Sequence, residues 1–477
     1  MTRCMPIIAG ASHIVALAAL LLVGGCASFS SDGGLMAVNA VTGPALGQDA
    51  LAVRTPEQAE AAGHRVKALL RQPLSADRAV HIALLNNREL QAAYNSLGLS
   101  EAALVQASRP PNPTFSLSRI AGAGAVEIEG RIAGSLLQLA TLPVRADIAA
   151  DRFRQAQFQA ASDTLRIASE ARRAFYRAVA ARALVAMLTQ ARETGQTAAE
   201  LAKRLGETGA MNKLDQARNQ SFYAEMVAQL ATARLRAASE RERLVRALGL
   251  WGDDLAFKLP AQLPPLPTRA RSLVHIETEA VRRRVDLQMA RIEADLLAKS
   301  YGLTSATRFI SLLDVAGIAK KQRENGETTR EYGFEVEVQI PIFDFGEVKV
   351  RQAEETYLQA INRLTAKAVN VRSEAREAYQ AYRASYDIAR HYRREVLPLR
   401  KIISEETLLR YNAMQIDVFA LLTEARQRIT ATNAATEAER DFWLAETNLG
   451  VAVLGGATAA SSETTASTTA AESPGGH

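Results

Sequence analysis

At 477 residues the chain is too long for one compact core. Past its N-terminus it holds no run of about 18 apolar residues, which excludes a spanning helix there and leaves a lipid anchor, a β-barrel or an amphipathic surface as membrane contacts. The net charge is +6, with Arg scattered beside Glu and Asp along helical stretches. That pattern reads as solvated helix faces, and no basic patch with interleaved aromatics argues for a nucleic-acid partner.

In chain order, Arg3 precedes an apolar stretch, Ile14 to Val23, which runs into Gly24-Gly25-Cys26. A charged start, a short apolar stretch and small residues before a cut site predict a secretory signal over residues 1–25. The ending Val23-Gly24-Gly25-Cys26 resembles a bacterial lipobox, whose Cys is lipidated and becomes the first residue. A plain signal cut near Ala27 or Ser28 is the competing reading. Cys26 is thus the candidate lipid-attachment residue, its acyl chains anchoring the protein in outer-membrane lipid. Of the two cysteines Cys4 leaves with the signal, so no disulfide or thiol chemistry remains. Ala27 and Ser28, rather than Asp, follow Cys26, the pattern that goes with outer-membrane sorting in bacterial lipoproteins. Residues 26–74 read as an N-terminal tether.

Beyond it the chain is written twice. "ALLNNRELQAA" (83–93) matches "AVRRRVDLQMA" (280–290), and "SEARRAF" (169–175) matches "SEAREAY" (373–379). The first repeat covers 75–258 and the second 271–455. The Pro-rich stretch 259–270 links them, and a low-complexity tail, expected to be disordered, fills 456–477. Proline is missing between Pro143 and Pro260 and from Ile342 to Leu397. In these runs the apolar positions alternate between steps of three and four. Ile167, Ala171, Ala174, Ala178, Ala181, Val185 and Leu188 form one series, and Ile361 to Tyr392 another. That is a coiled-coil seam, and its many alanines imply close-packed helices. A helix from Val144 to Leu205 would be about 90 Å long. Pro398, just past the second run and within otherwise helical sequence, predicts a kink or break.

Each repeat carries a β-hairpin, at about 113–142 and about 308–341. "VEIEGRI" sets Val126, Ile128 and Ile132 against Glu127, Glu129 and Arg131; "FEVEVQI" sets Phe334, Val336, Val338 and Ile340 against Glu335, Glu337 and Gln339. This is strict period two. "TFSLS" (114–118) and "RFISLL" (308–313) are the expected partner strands, with Gly-bearing turns at "AGAGA" and "ENGE". Such hairpins fit a soluble core or a transmembrane barrel, apolar to lipid and polar to a lumen. A lipobox and long coiled coils in the same chain favour the barrel. Four strands do not close a barrel, and open edges do not survive in hydrocarbon, so a barrel requires several chains; three would supply twelve strands.

These features together resemble the TolC family of outer-membrane efflux channels, over roughly Leu74 to Gly456. "LSADRAVHIALLNNRELQAAY" is similar to the family's first helix, and "ASRPPNPTFSL" to its exit into the first strand. "VQIPIFDFGEVKVRQAE" (338–354) is similar to the second strand-to-helix junction. There Asp344 is expected to cap the helix and Gly346 to permit close approach. The first half keeps Pro143 and Arg145 but lacks the Phe-Asp-x-Gly portion. The resemblance implies a mainly α fold of long antiparallel coiled-coil helices in two tandem repeats. Each repeat would lend a β-hairpin to a trimeric transmembrane barrel. It also implies a homotrimer in the bacterial outer membrane, most of its mass in the periplasm, working with a periplasmic adaptor and an inner-membrane pump.

Family helical hairpin tips meet the adaptor and close the tunnel. The matching residues are Arg204, Gly206, Gly209 and Met211 in the first tip, and Arg410, Tyr411, Asn412 and Met414 in the second. Asp215 and Asp417 match lumen-facing acidic positions, a candidate gate that would favour cations; a helix cap or solvated charge is the plainer reading. The six His residues show no metal-ligand spacing and "GETGAMNK" lacks phosphate-loop spacing. No catalytic residue, metal or cofactor is expected beyond the lipid on Cys26, and the chain reads as no enzyme. The expected function is the exit duct of a tripartite efflux or type I secretion system. The alternative is a lipid-anchored periplasmic coiled-coil scaffold without a pore.

Overall fold

The computed structural model describes residues 28–122, 125–310, 312–324 and 327–456. Cys26, the signal stretch, both β-turn centres and the tail from 457 onward lie outside the described residues. The chain packs as two units. One, the sheet unit, comprises the described part of Met1–Gly34 with Asn95–Gln157 and Met289–Thr365; the helical unit takes Leu35–Tyr94, Phe158–Gln288 and the described part of Ala366–His477.

The helical unit opens with α1 (Leu35–Leu46) and α2 (Pro56–Leu70), in the stretch expected to be a tether. Thr55 shows why α2 forms: its side chain accepts from the Gln58 N–H while the Gln58 side chain accepts from the Thr55 N–H. With Pro56 at the first position this is a complete capping box. Val38, Ala62 and Val66 are buried, so this segment is part of the fold rather than a free leash.

The duplication is structural. Helix α3 (Ala76–Asn86) breaks at Asn87 before α4 (Arg88–Ala107). Helix α8 (Ile276–Arg283) breaks at Arg284 before α9 (Val285–Ala306). Asn87 has φ −70°, ψ 117° and Arg284 φ −65°, ψ 119°. Their N–H groups donate to Ala83 and Ala280 carbonyls, each at 2.9 Å. A long helix ends against each break. Gly249 (φ +68°) stops α7 (Lys213–Leu248), and the Asn86 amide donates to its carbonyl at 2.6 Å. A Cβ on Gly249 would lie 2.9 Å from the Asn86 carbonyl oxygen. Gly455 (φ +95°) stops α12 (Val418–Leu454), and a Cβ there would lie 3.3 Å from the Val285 nitrogen.

The remaining helices carry the seams. Helix α6 runs unbroken from Leu142 to Glu207, and all of its predicted seam positions are buried except half-buried Val185. In α10 (Glu347–His391) Val371, Ala375, Tyr382 and Ala389 are buried, and no other seam residue is exposed. A π turn, Tyr392–Val396, joins α10 to α11 (Leu397–Asn412). Pro398 cannot donate to a carbonyl one turn back, and the wide turn before it relieves the ring's clash. The predicted break is therefore a bulge. An aromatic cluster of Tyr382, Tyr386, Phe442 and Trp443 forms the centre of the second half, and Trp443 stacks on Tyr176 at 5.4 Å. The Pro-rich linker is tied to it: Trp443 Nε1 donates to the Pro264 carbonyl and the Tyr386 hydroxyl to that of Pro267, both at 3.1 Å.

The sheet unit holds one antiparallel sheet in the order β1-β2-β3-β4: β1 (Thr114–Gly122), β2 (Ala125–Ser135), β3 (Leu313–Glu324) and β4 (Glu327–Val338). The expected strand at 308–313 is displaced. Helix α9 ends at Ala306, a turn follows, and β3 begins at Leu313. Its far half, Lys320-Lys321-Gln322-Arg323, has no apolar alternation. It is strand because it hydrogen-bonds to β2 and β4 on both edges. The first hairpin stops at Ser135, whose side chain accepts from the Gln138 N–H and starts α5 (Leu136–Ala140). Ile340 lies past the end of β4. Asp344 does not cap α10: its carboxylate accepts from the Gly346 N–H at 2.8 Å and holds that residue at φ +77°. A Cβ on Gly346 would lie 2.6 Å from the Arg308 carbonyl oxygen, so the expected close approach is present.

Candidate functional site

Two regions stand out, one in each unit. In the sheet, register sorts the side chains onto two faces. Across one face Phe115, Ile132, Gly317 and Phe334 lie in one row, and Leu117, Gly130, Ala319 and Tyr332 in the next. Phe115, Leu117, Ile132, Tyr332 and Phe334 are exposed, Phe334 to 84%. The other face is charged. Arg131 pairs with Glu335 at 3.1 Å, and Lys320 with Glu127 at 2.9 Å. Glu129, Lys320 and Glu331 share one row there. Outer strands β1 and β4 each leave one edge without a partner among the described residues. A sheet with an exposed apolar face and two open edges is unstable in water and in hydrocarbon unless both are covered.

In the helical unit the two hairpin tips close by the same Schellman hydrogen bonds. The Gly209 N–H donates to the Gly206 carbonyl at 3.1 Å and the Ala210 N–H to Leu205 at 2.8 Å. The Met414 N–H donates to Tyr411 and the Gln415 N–H to Arg410, both at 2.9 Å. The left-handed residues are Gly209 (φ +76°) and Met414 (φ +58°). Three residues later, Asn212 and Asp417 cap α7 and α12, accepting from the Asp215 and Ala420 N–H groups at 2.8 and 2.9 Å. The tips therefore align Gly209 with Met414 and Asn212 with Asp417. In that register Met211 and Asp215 stand two and three residues out of step with Met414 and Asp417.

Arg204 supplies a carbonyl to the Thr208 N–H at 3.3 Å. A Cβ on Gly206 would collide with the Gln216 side chain, whose amide donates to the Met211 carbonyl at 3.0 Å. Asn412 ends α11. Met414 is 93% exposed, an apolar side chain on a strained backbone where glycine is the cheaper choice. Asp215 accepts from the Asn212 side-chain amide at 2.8 Å and pairs with Arg218 at 3.2 Å. Sequence reading missed Arg218 and Phe419. The Arg218 guanidinium sits 4.5 Å over the Phe419 ring and so bridges α7 to α12. Beneath lie Phe222, Met226 and Leu422. The Asn-x-x-Asp spacing of Asn212 and Asp215 was a readable cap signal.

A family model described as outer membrane efflux protein matches residues 278–404. Among curated proteins no relative matches the sequence. Solved structures match over most of the chain. A CusC structure has TM-score 0.66 at 16% identity, covering 83% of this chain and 92% of that one. The Campylobacter jejuni CmeC outer membrane channel has TM-score 0.67 at 16% identity, covering 80% and 85%. The Vibrio cholerae outer membrane protein VceC has TM-score 0.66 at 14% identity, covering 80% and 96%. At such identities the likeness is one of fold. Residues 278–404 thus resemble the outer membrane efflux protein family, and the chain has the fold of these solved outer-membrane channels.

Proposed function

We propose that this protein is the exit duct of an envelope export system. Three chains close a twelve-stranded barrel in the outer membrane, continue it as a periplasmic helical tunnel, and receive cargo from an adaptor and an inner-membrane pump. Cys26 carries lipid in the same membrane, and the chain has no chemistry of its own. The observation that carries this reading is the sheet, with one exposed apolar face, one charged face and two open edges. Joining β1 of one chain to β4 of the next removes every edge, turns the apolar face to lipid and lines the lumen with Glu129, Lys320 and Glu331. The CmeC and VceC likenesses supply the fold precedent. At the tips, Gly206, Gly209, Tyr411 and Met414 form the surface offered to an adaptor, and Asp215 and Asp417 stand at the closed end. Purified protein in planar bilayers should conduct. A trimer that never conducts, even with Asp215 and Asp417 neutralised, would support the poreless scaffold instead.

A further inference from the structure

Residues 28–34 form a strap at the start of the described chain, and the sheet unit holds it tightly. Glu101, on α4, is 6% exposed. One of its carboxylate oxygens accepts twice from Ser30, from the backbone N–H at 2.6 Å and from the hydroxyl at 2.5 Å. A buried carboxylate needs such donors, and charge-assisted bonds of this length are the strong kind. The strap then turns through Gly33 and Gly34. Gly34 stands at φ +81°, and a Cβ there would lie 2.6 Å from the Phe153 ring on α6. The Gly34 N–H also donates to Asp32 at 3.3 Å. Glu101 thus binds the strap at one end, and a glycine that admits no side chain seats it at the other.

We infer that Glu101 is the positioning residue for the lipid-bearing end of the chain: its carboxylate clamps Ser30 and converts the anchor from a leash into a fixed point. The inference rests on the lipid reading of Cys26. Ser30 lies four positions after Cys26, a reach of at most about 14 Å. From Glu101, six residues of α4, about 9 Å of helix, lead toward β1. Acyl chains on Cys26 are thereby tethered within that reach of Ser30, and the clamp ties Ser30 to the elements that start and end the first hairpin.

Hydrogen exchange by mass spectrometry on the full chain purified from membranes tests this. Peptides covering 28–34 should be protected in the native protein and exchange at least about 100-fold faster in Glu101→Ala. Exchange in β1–β4 should be unchanged, because a general folding defect would move both regions. Glu101→Gln, which keeps an acceptor, should restore much of the protection. Ser30→Ala removes the hydroxyl bond alone and should give an intermediate rate, which tests the clamp even where Glu101→Ala does not fold. Unprotected 28–34 in the native chain, or unchanged protection in both Glu101→Ala and Ser30→Ala, overturns the clamp. Thiol labelling of Cys26 in the same samples separates the two ideas. An unreactive Cys26 supports the lipid; a reactive one removes the anchoring role while the exchange data still decide the clamp.

Discussion

The two halves of the chain reach one architecture with different residues. The first tip turns on Gly209, the second on Met414; the first long return helix is capped by Asn212, the second by Asp417. Of the strand-to-helix junctions, the first uses Ser135 and a short extra helix. The second uses Asp344 and a left-handed Gly346 pressed on Arg308. The α3–α4 break is held by the Asn87 side chain, which accepts from the Leu90 N–H at 3.2 Å. Its α8–α9 counterpart has Arg284, which reaches Asp286 at 2.9 Å instead. At the tips and the helix breaks, the duplication preserves backbone conformation and hydrogen bonding. The side chains that secure them have drifted, so equivalent positions should differ in sensitivity.

The largest expected difference lies at the junctions. Gly346→Ala combines a left-handed alanine with a backbone clash and should cost about 3 kcal/mol. Ser135→Ala, its first-half counterpart in role, should cost about 1 kcal/mol. Denaturant melts of the two variants compare them, and equal losses would break the asymmetry. At the tips, Asp417→Ala and Asn212→Ala should each lose about 1 kcal/mol of local stability, read as faster amide exchange in the first turns of α12 and α7. Asp417→Ala should also raise the conductance of the closed channel, and unchanged current would place Asp417 away from the lumen. Met414→Gly should do the reverse, stabilising its tip by about 0.5 kcal/mol once the added freedom of the unfolded chain is counted. The same exchange measurement shows it; a slackened tip would mean that the Met414 side chain secures its own turn.

The smallest effect separates the first helices. His81 in α3 has Thr278 as its second-half counterpart. Burial, with a smaller push from Arg65, holds the His81 imidazole below its ordinary value of 6.5. The unfolded chain then binds the proton first, so its stabilising effect is present above pH 6.5 and is lost as pH falls through that value toward the lowered one. His81→Gln should shrink the loss of melting temperature between pH 7.5 and 5.5, and Thr278→Ala should not.

Periodicity made the helices legible, because the seam of α6 and α10 follows one rule over many turns. The duplication, the hairpins and the exposed sheet face were also readable, since a strict alternation of period two names its own faces. What was hidden depends on partners distant in sequence. Polar Lys320–Arg323 is strand only because β2 and β4 flank it. Residues 26–74 read as a tether because no local pattern announces the Ser30–Glu101 hydrogen bonds or the burial of Val38. Asp215 and Asp417 do not hold equivalent places in their tips, because hydrogen bonds define the equivalence there and letters do not show them. Arg218 and Phe419 meet only after two helices pack.

The central claim is that the sheet closes between chains. In one chain β1 and β4 are three strand spacings apart, about 14 Å, beyond the reach of a disulfide. Ser116→Cys can be combined in turn with Thr329→Cys, Glu331→Cys, Gly333→Cys and Glu335→Cys, and oxidised in native membranes. At least one pair should yield covalent trimers on a denaturing gel, with dimers as intermediates. Monomer alone from every pair, in protein shown to be membrane-inserted, would contradict the account.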